Sequence, residues 1–246
     1  MRRSAVPVAV AAVLLIAGCG SSSGSGSAKA AAPSPSASEA PLTATEAHQI
    51  AVASQVQAAD LPGFTEDKTA AGDADAPDAT DKEIQACVTG AADPHYLADV
   101  SSSDFSKGTP PTALQVSTDT QVVATTRQGR QELAKIKEPA TVSCLNAALK
   151  KGMSTQTEGG TFDGELKPVA SNDDYGSDGA ARYSLDGTLK AQGVSVTMHI
   201  DLDQLLVGRA ELTLSSFAIG EKPLAETDRD RILKAVVDRA RTAQQA

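Results

Sequence analysis

The clearest pattern in the chain is an alternation of apolar and polar residues in its last quarter. From residue 194 to residue 202 every second side chain is apolar, and the side chains between them are polar. This period of two predicts a β-strand with one face in the core and one polar face. Val207 and Gly208 then predict a turn, and residues 209–218 repeat the alternation as a returning antiparallel strand.

Three earlier segments carry weaker strand patterns. They are residues 113–125, 161–170 and 180–190. Residues 94–103 contain a proline and a run of serines, a composition that is typical of irregular chain. We therefore expect an antiparallel sheet of about four to five strands, most of them in the C-terminal half.

Apolar residues at helical spacing predict helices in other segments. Thr43 and Glu46 form a capping box, in which a hydroxyl precedes a carboxylate by three residues, and the helix after it is predicted to reach about Ala59. A second capping box at Thr80 predicts a short helix that carries Cys87. The other predicted helices are 127–137, 140–151 and an amphipathic helix over 225–243.

The order of these elements predicts the fold class. Helices that come first and strands that follow one another later are typical of an α+β fold. We expect an antiparallel sheet with flanking helices that cover one of its faces. No repeat or linker divides residues 42–246, so the pattern predicts a single α+β domain there.

The N-terminus has the features of an export signal. Arg2 and Arg3 precede an apolar segment over residues 5–17, which is too short to span a membrane stably. The segment ends in Leu-Ile-Ala-Gly before Cys19, which looks like the lipobox of bacterial lipoproteins. We therefore predict a lipoprotein signal peptide over residues 1–18 and a lipidated Cys19, with an ordinary secretory signal as the alternative.

Residues 19–41 are rich in Ser, Gly, Ala and Pro and carry almost no bulky side chain. Such a segment cannot bury enough apolar surface to fold, so we predict a disordered tether. Two or three acyl chains, palmitate among them, would anchor Cys19 firmly, because one chain alone binds a membrane only marginally. The predicted location is the outer face of the cell membrane.

Composition narrows the function classes. The chain has 246 residues, a formal net charge of −9 and only 3% aromatic residues. An excess of acidic over basic residues argues against a nucleic-acid binder, which would show a basic patch. No run of eighteen or more apolar residues occurs beyond the N-terminus, which excludes a multi-span membrane protein.

Cysteine usage fits an exported domain. Apart from Cys19, the chain contains Cys87 and Cys144, and an even pair outside the cytoplasm predicts a disulfide. The alternatives are two free thiols or a catalytic cysteine, which would need a nearby base. The absence of a CxxC motif or a Cys/His cluster in the sequence argues against zinc.

Short motifs follow one another in a recognisable order after the lipobox and the tether. They are Ala59-Asp60-Leu61-Pro62, Cys87, Ser103-Asp104-Phe105-Ser106, Cys144-Leu145, Val207-Gly208-Arg209 and Leu212-Thr213-Leu214. With the final amphipathic helix, this order resembles the actinobacterial PknH-like extracellular sensor domain over about residues 43–243.

The resemblance implies an antiparallel sheet with flanking helices and a cleft that binds an unidentified ligand. Members of that family usually carry two disulfides, whereas this chain can form only one. The family also occurs on receptor kinases, but the sequence contains no Gly-rich loop and no H-R-D or D-F-G motif.

Candidate ligand-binding residues lie on the polar face of the strand over residues 194–202 and just beyond it. His199, Asp201 and Asp203 would lie about 6.6 Å apart in succession along one face, close enough to converge on a ligand. A solvated sheet face is the alternative. Arg209 could bind an anion through its bidentate fork, or remain solvated.

Other motifs fail. The acidic segment that begins at Asp174 resembles a calcium loop, but residue 185, where the pattern needs a carboxylate, is a leucine. The acidic segment at Asp73 fails in the same way at Ile84. The Gly-Ser-Ser-Ser-Gly stretch in the tether matches a nucleophile elbow only in letters. The sequence thus predicts no catalytic residue, no metal site and no cofactor.

We therefore expect an extracytoplasmic, lipid-anchored binding or sensor-type lipoprotein rather than an enzyme. One alternative is a carrier of lipid or another apolar molecule, which predicts an apolar pocket. Another is a non-catalytic interaction module of the cell envelope, which predicts an exposed apolar patch. A hydrolase would require a histidine within reach of a nucleophile.

Overall fold

A computed structural model describes most of the chain beyond the tether. It covers residues 39–68, 71–73, 83–84, 86–87, 96–109, 112–155, 161–170, 174–191 and 193–245. The predicted signal peptide, Cys19 and almost all of the predicted tether lie outside these residues. Most of the short helix predicted after Thr80 also lies outside them. Its residues 83–84 and 86–87 are described, and they are helical.

Four α-helices and one 3-10 turn lie in the described part of the chain. The helices are α1 (Ala44–Ala53), α2 (Thr126–Ile136), α3 (Pro139–Thr155) and α4 (Glu226–Ala243), and the 3-10 turn is Ala58–Asp60. The capping box predicted for α1 is present, since Glu46 N donates to Thr43 Oγ1 and Thr43 N donates to Glu46 Oε2. None of these helices is long and apolar enough to cross a membrane.

The strands form one antiparallel sheet and differ widely in length. They are β1 (Thr65–Asp67), β2 (Gly72–Asp73), β3 (Ala98–Ser101), β4 (Asp104–Thr109), β5 (Thr112–Val122), β6 (Thr161–Pro168), β7 (Gly179–Ala191), β8 (Val194–Val207) and β9 (Ala210–Ile219). The order is β1-β4-β5-β9-β8-β7-β6, with β3 also paired to β5 and β2 paired to β3. The α+β class with an antiparallel sheet is confirmed, but the described residues form nine strands rather than about five.

One of the unexpected strands, β3, lies within residues 94–103, where the sequence pattern predicts irregular chain, and another, β4, begins directly after them. β3 and β4 run along the same side of β5, and Ser102 and Ser103 interrupt them. Ser102 accepts a hydrogen bond from Thr118 N through its hydroxyl and donates its own N–H to the Thr118 carbonyl. Side-chain bonding therefore holds the interrupted segment on the sheet, which the prediction of irregular chain missed.

Helices cover both faces of the sheet, not one. α1 and α4 pack on one face, and their core includes Ile50, Val116, Leu212 and Ile232. α2 and α3 pack on the other face, and their core includes Ile136. The second cluster also includes Leu145, Leu166, Leu185 and Leu202. The end of β8 is buried on both faces, which is why its residues stop alternating in polarity there.

The helix α1 is shorter than its sequence predicts, since it ends at Ala53 rather than near Ala59. Ser54 Oγ donates to the carbonyl of Ile50, a bond that competes with further helix. The next amide, of Val56, donates to Thr118 Oγ1 on β5 at 2.8 Å. Contacts with the sheet therefore end this helix.

The predicted disulfide is confirmed. Cys87 and Cys144 are bonded, with their Cα atoms 5.5 Å apart. Cys144 lies on α3, so the bond fastens the segment around Cys87 to that helix. Ile84, three residues earlier, is buried in the same core as Leu145.

Candidate functional site

The polar face of β8 lies under α4 for part of its length. Met198, Ile200 and Leu202 point into the core between the sheet and α2–α3, as the alternation predicts. Asp201 and Asp203 belong to the other face, and both are buried rather than solvated. Buried carboxylates need partners, so the partners of these two residues define the site.

His199 is held between two carboxylates on the same face. Its Nδ1 lies 2.6 Å from Asp186 Oδ1 on β7, and its Nε2 lies 3.0 Å from Asp201 Oδ2. Burial lowers the pKa of His199, but the hydrogen bonds and charges of the two aspartates outweigh that effect and raise it. The arrangement therefore favours the imidazolium form.

Asp203 lies deeper, below α4. Arg229 Nη1 donates to Asp203 Oδ1 at 2.7 Å, and Arg182 Nε lies 3.7 Å from the same oxygen. Burial raises the pKa of Asp203 to about 6 despite the two neighbouring arginines. Burial also lowers the pKa of Arg229, but the charge of Asp203, with smaller contributions from Tyr175 and Glu226, raises it by more, and the net shift is upward.

Arg182 joins the two halves of this arrangement. It lies 3.7 Å from Asp201 and forms a two-pronged hydrogen bond with Glu226 at 2.9 and 3.3 Å. Glu226 stands in the first turn of α4, where a carboxylate also interacts favourably with the helix dipole. The charged network thus runs without a break across β7, β8 and α4. It comprises His199, Asp201, Asp203, Arg182, Arg229, Glu226 and Asp230.

The charged network reaches the surface at a cleft beside α4. Arg229 Nη2 donates to Asp230 Oδ1 at 3.2 Å, and the Tyr175 hydroxyl donates to the same oxygen at 2.7 Å. Tyr175 has φ 55° and is followed by Gly176 at φ 81°, a left-handed pair that turns the chain sharply before β7. This turn forms one wall of the cleft.

The cleft, called here the α4 cleft, has a volume of about 480 Å³. Its walls carry both charges and no aliphatic side chain; they are Tyr175, Gly176, Asp230, Arg231, Lys234, Asp238 and Arg241. Three of these residues are cationic and two are carboxylates. None of them is among the site residues predicted from the sequence, since each is an ordinary polar position on an amphipathic helix or in a loop.

The structure does not bring Arg209 to His199 and Asp201. Arg209 lies in the β8–β9 turn, on the order of 25 Å along β8 from His199 at about 3.3 Å per residue. Its Nη1 donates to the carbonyl of Ala124 at 3.3 Å, and its Nε lies 3.9 Å from Glu39. Arg209 therefore belongs to a separate part of the surface.

Glu39, near the end of the predicted tether, is fixed to the folded domain at that same end. It accepts hydrogen bonds from the backbone N and the hydroxyl of Thr126, the first residue of α2. These bonds, and the charge of Arg209 to a lesser degree, lower the pKa of Glu39. The start of the domain is thus held at the N-terminus of α2, where negative charge is favoured.

One arrangement near His199 resembles a catalytic triad. Ser184 Oγ lies 3.4 Å from His199 Nε2, while Asp186 accepts at Nδ1. Asp201 is closer to Nε2, at 3.0 Å, and its buried carboxylate requires a donor. An imidazolium that donates to two aspartates has no lone pair for a serine proton, so this geometry does not make His199 a general base.

Metal ligands do not cluster in the described residues: no group of three or more His, Cys, Asp or Glu side chains there is arranged to hold a metal ion. Asp174, which the sequence places in a failed calcium pattern, accepts a hydrogen bond from the Gly176 amide instead. Asp178 of the same segment accepts a hydrogen bond from the Gly208 amide. Asn172 and Asp173, and Asp75 and Asp78 of the other segment, lie outside the described residues.

Comparisons with known proteins give one similarity. No family model matches the chain, and no curated protein matches it. Among solved structures, the chain is similar to the extracellular domain of PknH from Mycobacterium tuberculosis, at a TM-score of 0.47 and 10% identity. The similarity covers 82% of this chain and 98% of that one. At this level it assigns neither a ligand nor a partner.

Proposed function

We propose that this protein is an extracytoplasmic, lipid-anchored binding domain that recognises a polar ligand in the α4 cleft. The observation that carries the proposal is the cleft itself, a concavity of about 480 Å³ walled by charged and aromatic polar side chains. Ligand sites are concave and hold a few converging polar groups, and this cleft has both features.

The charges indicate the chemistry of the ligand. Asp230 already accepts from Tyr175 and Arg229, and Asp238 lies 3.9 Å from Lys234. Lys234 is largely exposed. Arg231 beside it is partly exposed but already donates to the Asp60 carbonyl and to Asp228, so Lys234 is the better placed of the two to meet a ligand. Ammonium and guanidinium groups bind carboxylate and phosphate, so a small ligand with an anionic group fits best.

Rigid walls support binding. The guanidinium of Arg241 donates to the carbonyl of Gly176, which joins α4 to the loop on the other side of the cleft. Below the cleft, Arg229 and Asp203 fasten the start of α4 to the sheet. A site whose walls are held before the ligand arrives loses less entropy on binding.

The alternatives have less support. A lipid carrier needs a pocket lined by aliphatic and aromatic side chains, whereas five of the seven residues that line the α4 cleft are charged. An interaction module needs an exposed apolar patch, but the large apolar side chains exposed in the described residues are Val52 and Val194, on different elements. The lipid anchor rests on the lipobox at Cys19 and is part of the proposal.

The test is native mass spectrometry of the full-length protein with the aqueous and the lipid extracts of its source cells. We expect an adduct from the aqueous extract that Lys234→Glu abolishes. The matched control is Lys167→Glu on β6, because Lys167 is 71% exposed against 72% for Lys234 and has an acidic neighbour at 3.7 Å against 3.9 Å.

Each outcome separates the alternatives. An adduct from the lipid extract alone would replace the proposal with an apolar carrier. An aqueous adduct that survives Lys234→Glu would place the ligand elsewhere on the protein. No adduct from either extract would overturn small-molecule binding, and crosslinking on intact cells would then search for a protein partner.

A further inference from the structure

On the face of the sheet opposite the charged network, α2 lies unusually close to β8 and β9. Gly129 makes this approach possible, since a Cβ atom there would lie 2.5 Å from Leu206 Cδ1 and 3.2 Å from Glu211 Oε1. The carboxyl group of Glu211 therefore lies against α2, where it forms a hydrogen bond with Glu132, one turn beyond Gly129. Two acidic side chains thus meet between the helix and the sheet.

The hydrogen bond between these two groups requires a proton. A carboxylate only accepts hydrogen bonds, so two carboxyl groups bond to each other only when one of them is protonated. Glu132 is 1% exposed, and its Oε1 accepts from Gln128 Nε2 at 2.9 Å. Apart from their contact with each other, Glu132 Oε2 and both oxygens of Glu211 are shielded from solvent and have no hydrogen-bond partner among the described residues. The pair is therefore satisfied by one proton.

The surroundings hold this proton on the Glu211 side. Burial, followed by the Glu132 charge, raises the pKa of Glu211 well above its usual value. Burial also raises the pKa of Glu132, but the hydrogen bonds from Glu211 and Gln128 oppose that effect. The negative charge therefore stays on Glu132, and this charge opposes the ionisation of Glu211 beside it.

Charged side chains on the surrounding elements do not take the place of the proton. The neighbours of Glu211 across the sheet are Gln121 on β5 and Leu206 on β8, and both are uncharged. Gln121 donates to Asp99 on β3 at 3.2 Å, which brings a further acid, not a cation, to this face. The other charged side chains on the elements packed there are exposed or bonded to other groups; they are Arg127, Arg130 and Lys135 on α2, Asp119 on β5, Arg182 on β7, Asp201 and Asp203 on β8, and Arg209 before β9.

The two ends of α2 are held differently. Near its C-terminal end, Ile136 is buried in the core and its carbonyl accepts from the Tyr183 hydroxyl at 3.1 Å. At its N-terminal end, Thr126 donates to Glu39, which belongs to the segment beside the predicted tether. The contact of Glu132 with Glu211 lies between these points, so it fastens the N-terminal half of the helix to the sheet.

We propose that the proton shared by Glu132 and Glu211 is a pH-sensitive switch that holds the N-terminal half of α2 on the sheet and releases it when the proton leaves. Two buried negative charges in contact repel each other and need either water or a cation. The cavity beside Glu211 has a volume of about 20 Å³, which is room for about one water molecule. One water cannot hydrate two carboxylates, so the helix must move.

The direction of the switch follows from the raised pKa of Glu211. The helix is held fully below the ordinary glutamate value of 4.5 and loosens as the pH rises through the raised pKa. Because Thr126 holds Glu39, a loosened α2 also frees the segment that joins the domain to the predicted tether. The switch is independent of the α4 cleft, which lies on the other side of the sheet.

The test is hydrogen exchange of the full-length protein in detergent, read by mass spectrometry between about pH 5 and about pH 9, where an ordinary glutamate stays ionised. After correction for the effect of pH on intrinsic exchange, protection of the peptide over residues 126–136 should fall by at least about tenfold as the pH rises. The helix α4 is the internal reference and separates local loosening from global unfolding. Infrared difference spectra should show the carbonyl band of a protonated carboxyl group that disappears over the same pH range.

Two variants remove the proton without removing the contact. Glu211→Gln keeps the shape, and its amide donates to Glu132 at every pH, so α2 should stay protected throughout and the infrared band should be missing. Glu132→Gln removes the second charge instead, and it should also abolish the loss of protection. The control is Glu165→Gln, an exposed glutamate on β6, which should behave like the wild type.

Three results would overturn the switch. If neither glutamine variant removes an infrared band, the two glutamates do not share a proton. If their band persists unchanged to pH 9, the proton never leaves in this range and nothing is switched. If the band disappears while the protection of α2 relative to α4 stays constant, the proton does not hold the helix on the sheet.

Discussion

Arg229 on α4 and Asp203 on β8 form an ion pair in which the two side chains are only 4% and 6% exposed. The Nη1 to Oδ1 distance is 2.7 Å, and the same guanidinium also donates to Glu226 and Asp230. The pair therefore ties the start of the last helix to the middle of the sheet and leads from there to the α4 cleft.

Removing one member of this pair should destabilise the protein strongly. Arg229→Met leaves Asp203 buried with only the more distant Arg182, and breaking a buried pair in this way costs about 3–5 kcal/mol. Urea unfolding should show a correspondingly lower free energy of unfolding. The double variant Arg229→Met with Asp203→Leu should regain most of the loss, because an apolar pair needs no partner.

Lys234→Met on the same helix is the control, since Lys234 is mostly exposed. It should change the free energy of unfolding by about 0.5 kcal/mol or less. A loss for Arg229→Met as small as that of the control would show that the pair is not needed to hold α4 on the sheet.

The disulfide should contribute a large share of the stability. Cys87 and Cys144 are 57 residues apart in sequence, and closing a loop of that length stabilises by about 4 kcal/mol in the chain-entropy model. The double variant Cys87→Ser with Cys144→Ser should unfold at a correspondingly lower urea concentration. Maleimide labelling of the wild type under denaturing conditions should modify neither cysteine, and labelling of both would refute the bond.

Stability should fall as His199 loses its proton. The pKa of His199 is raised in the folded protein above its ordinary value of 6.5, through Asp186 and Asp201 and against the effect of burial. The stabilisation from the charged form is therefore complete below pH 6.5 and is lost as the pH rises through the raised pKa. His199→Gln lacks this dependence, so the wild type should lose its advantage over the variant in alkaline buffer.

The measurement is urea unfolding of both proteins at a series of pH values above 6.5, with the imidazole followed by NMR. Below pH 6.5 the titration of Asp203 would also change the free energy of unfolding. Its pKa is raised from 3.8 to about 6, so its loss of a proton also lowers stability as the pH rises. A difference between wild type and variant that is constant from pH 6.5 to pH 9 would contradict the prediction.

The lipobox predicts that the protein is anchored by a lipid on Cys19. Cys19→Ala removes the thiol that would carry the lipid, so the protein should leave the membrane fraction, and an uncleaved form that stays there would contradict the prediction. Metabolic labelling with palmitate should mark the wild type and not the variant. Cys87→Ser with Cys144→Ser is the control, because those cysteines belong to the disulfide and should leave labelling intact. Palmitate on the Cys19→Ala protein would contradict the lipobox prediction.

Local patterns predicted several elements well because their causes are local. The Thr43–Glu46 capping box begins α1, and the turn at Gly208 connects β8 to β9. The alternation in β8 also assigned its faces, since the period of a strand follows from the backbone alone. The pairing of Cys87 with Cys144 followed from the number of cysteines.

The sites could not be predicted in this way, because their partners are far apart in sequence. Arg182, Asp203 and Arg229 each occupy a position where a polar residue is ordinary. His199 and Asp201 could be placed on one face, but only the sheet shows that Asp186 closes the arrangement from β7.

Local sequence patterns were sufficient to predict the α+β class, most of the helices and long strands, and the disulfide, because each depends on periodicity, capping or residue counts. Three features followed only from the packing of the folded chain: helices cover both faces of the sheet, α1 ends at Ala53, and charged side chains gather at α4. The physical reason is that burial and ion pairing depend on which elements pack together. That packing is set by contacts between distant segments, and no local pattern records it.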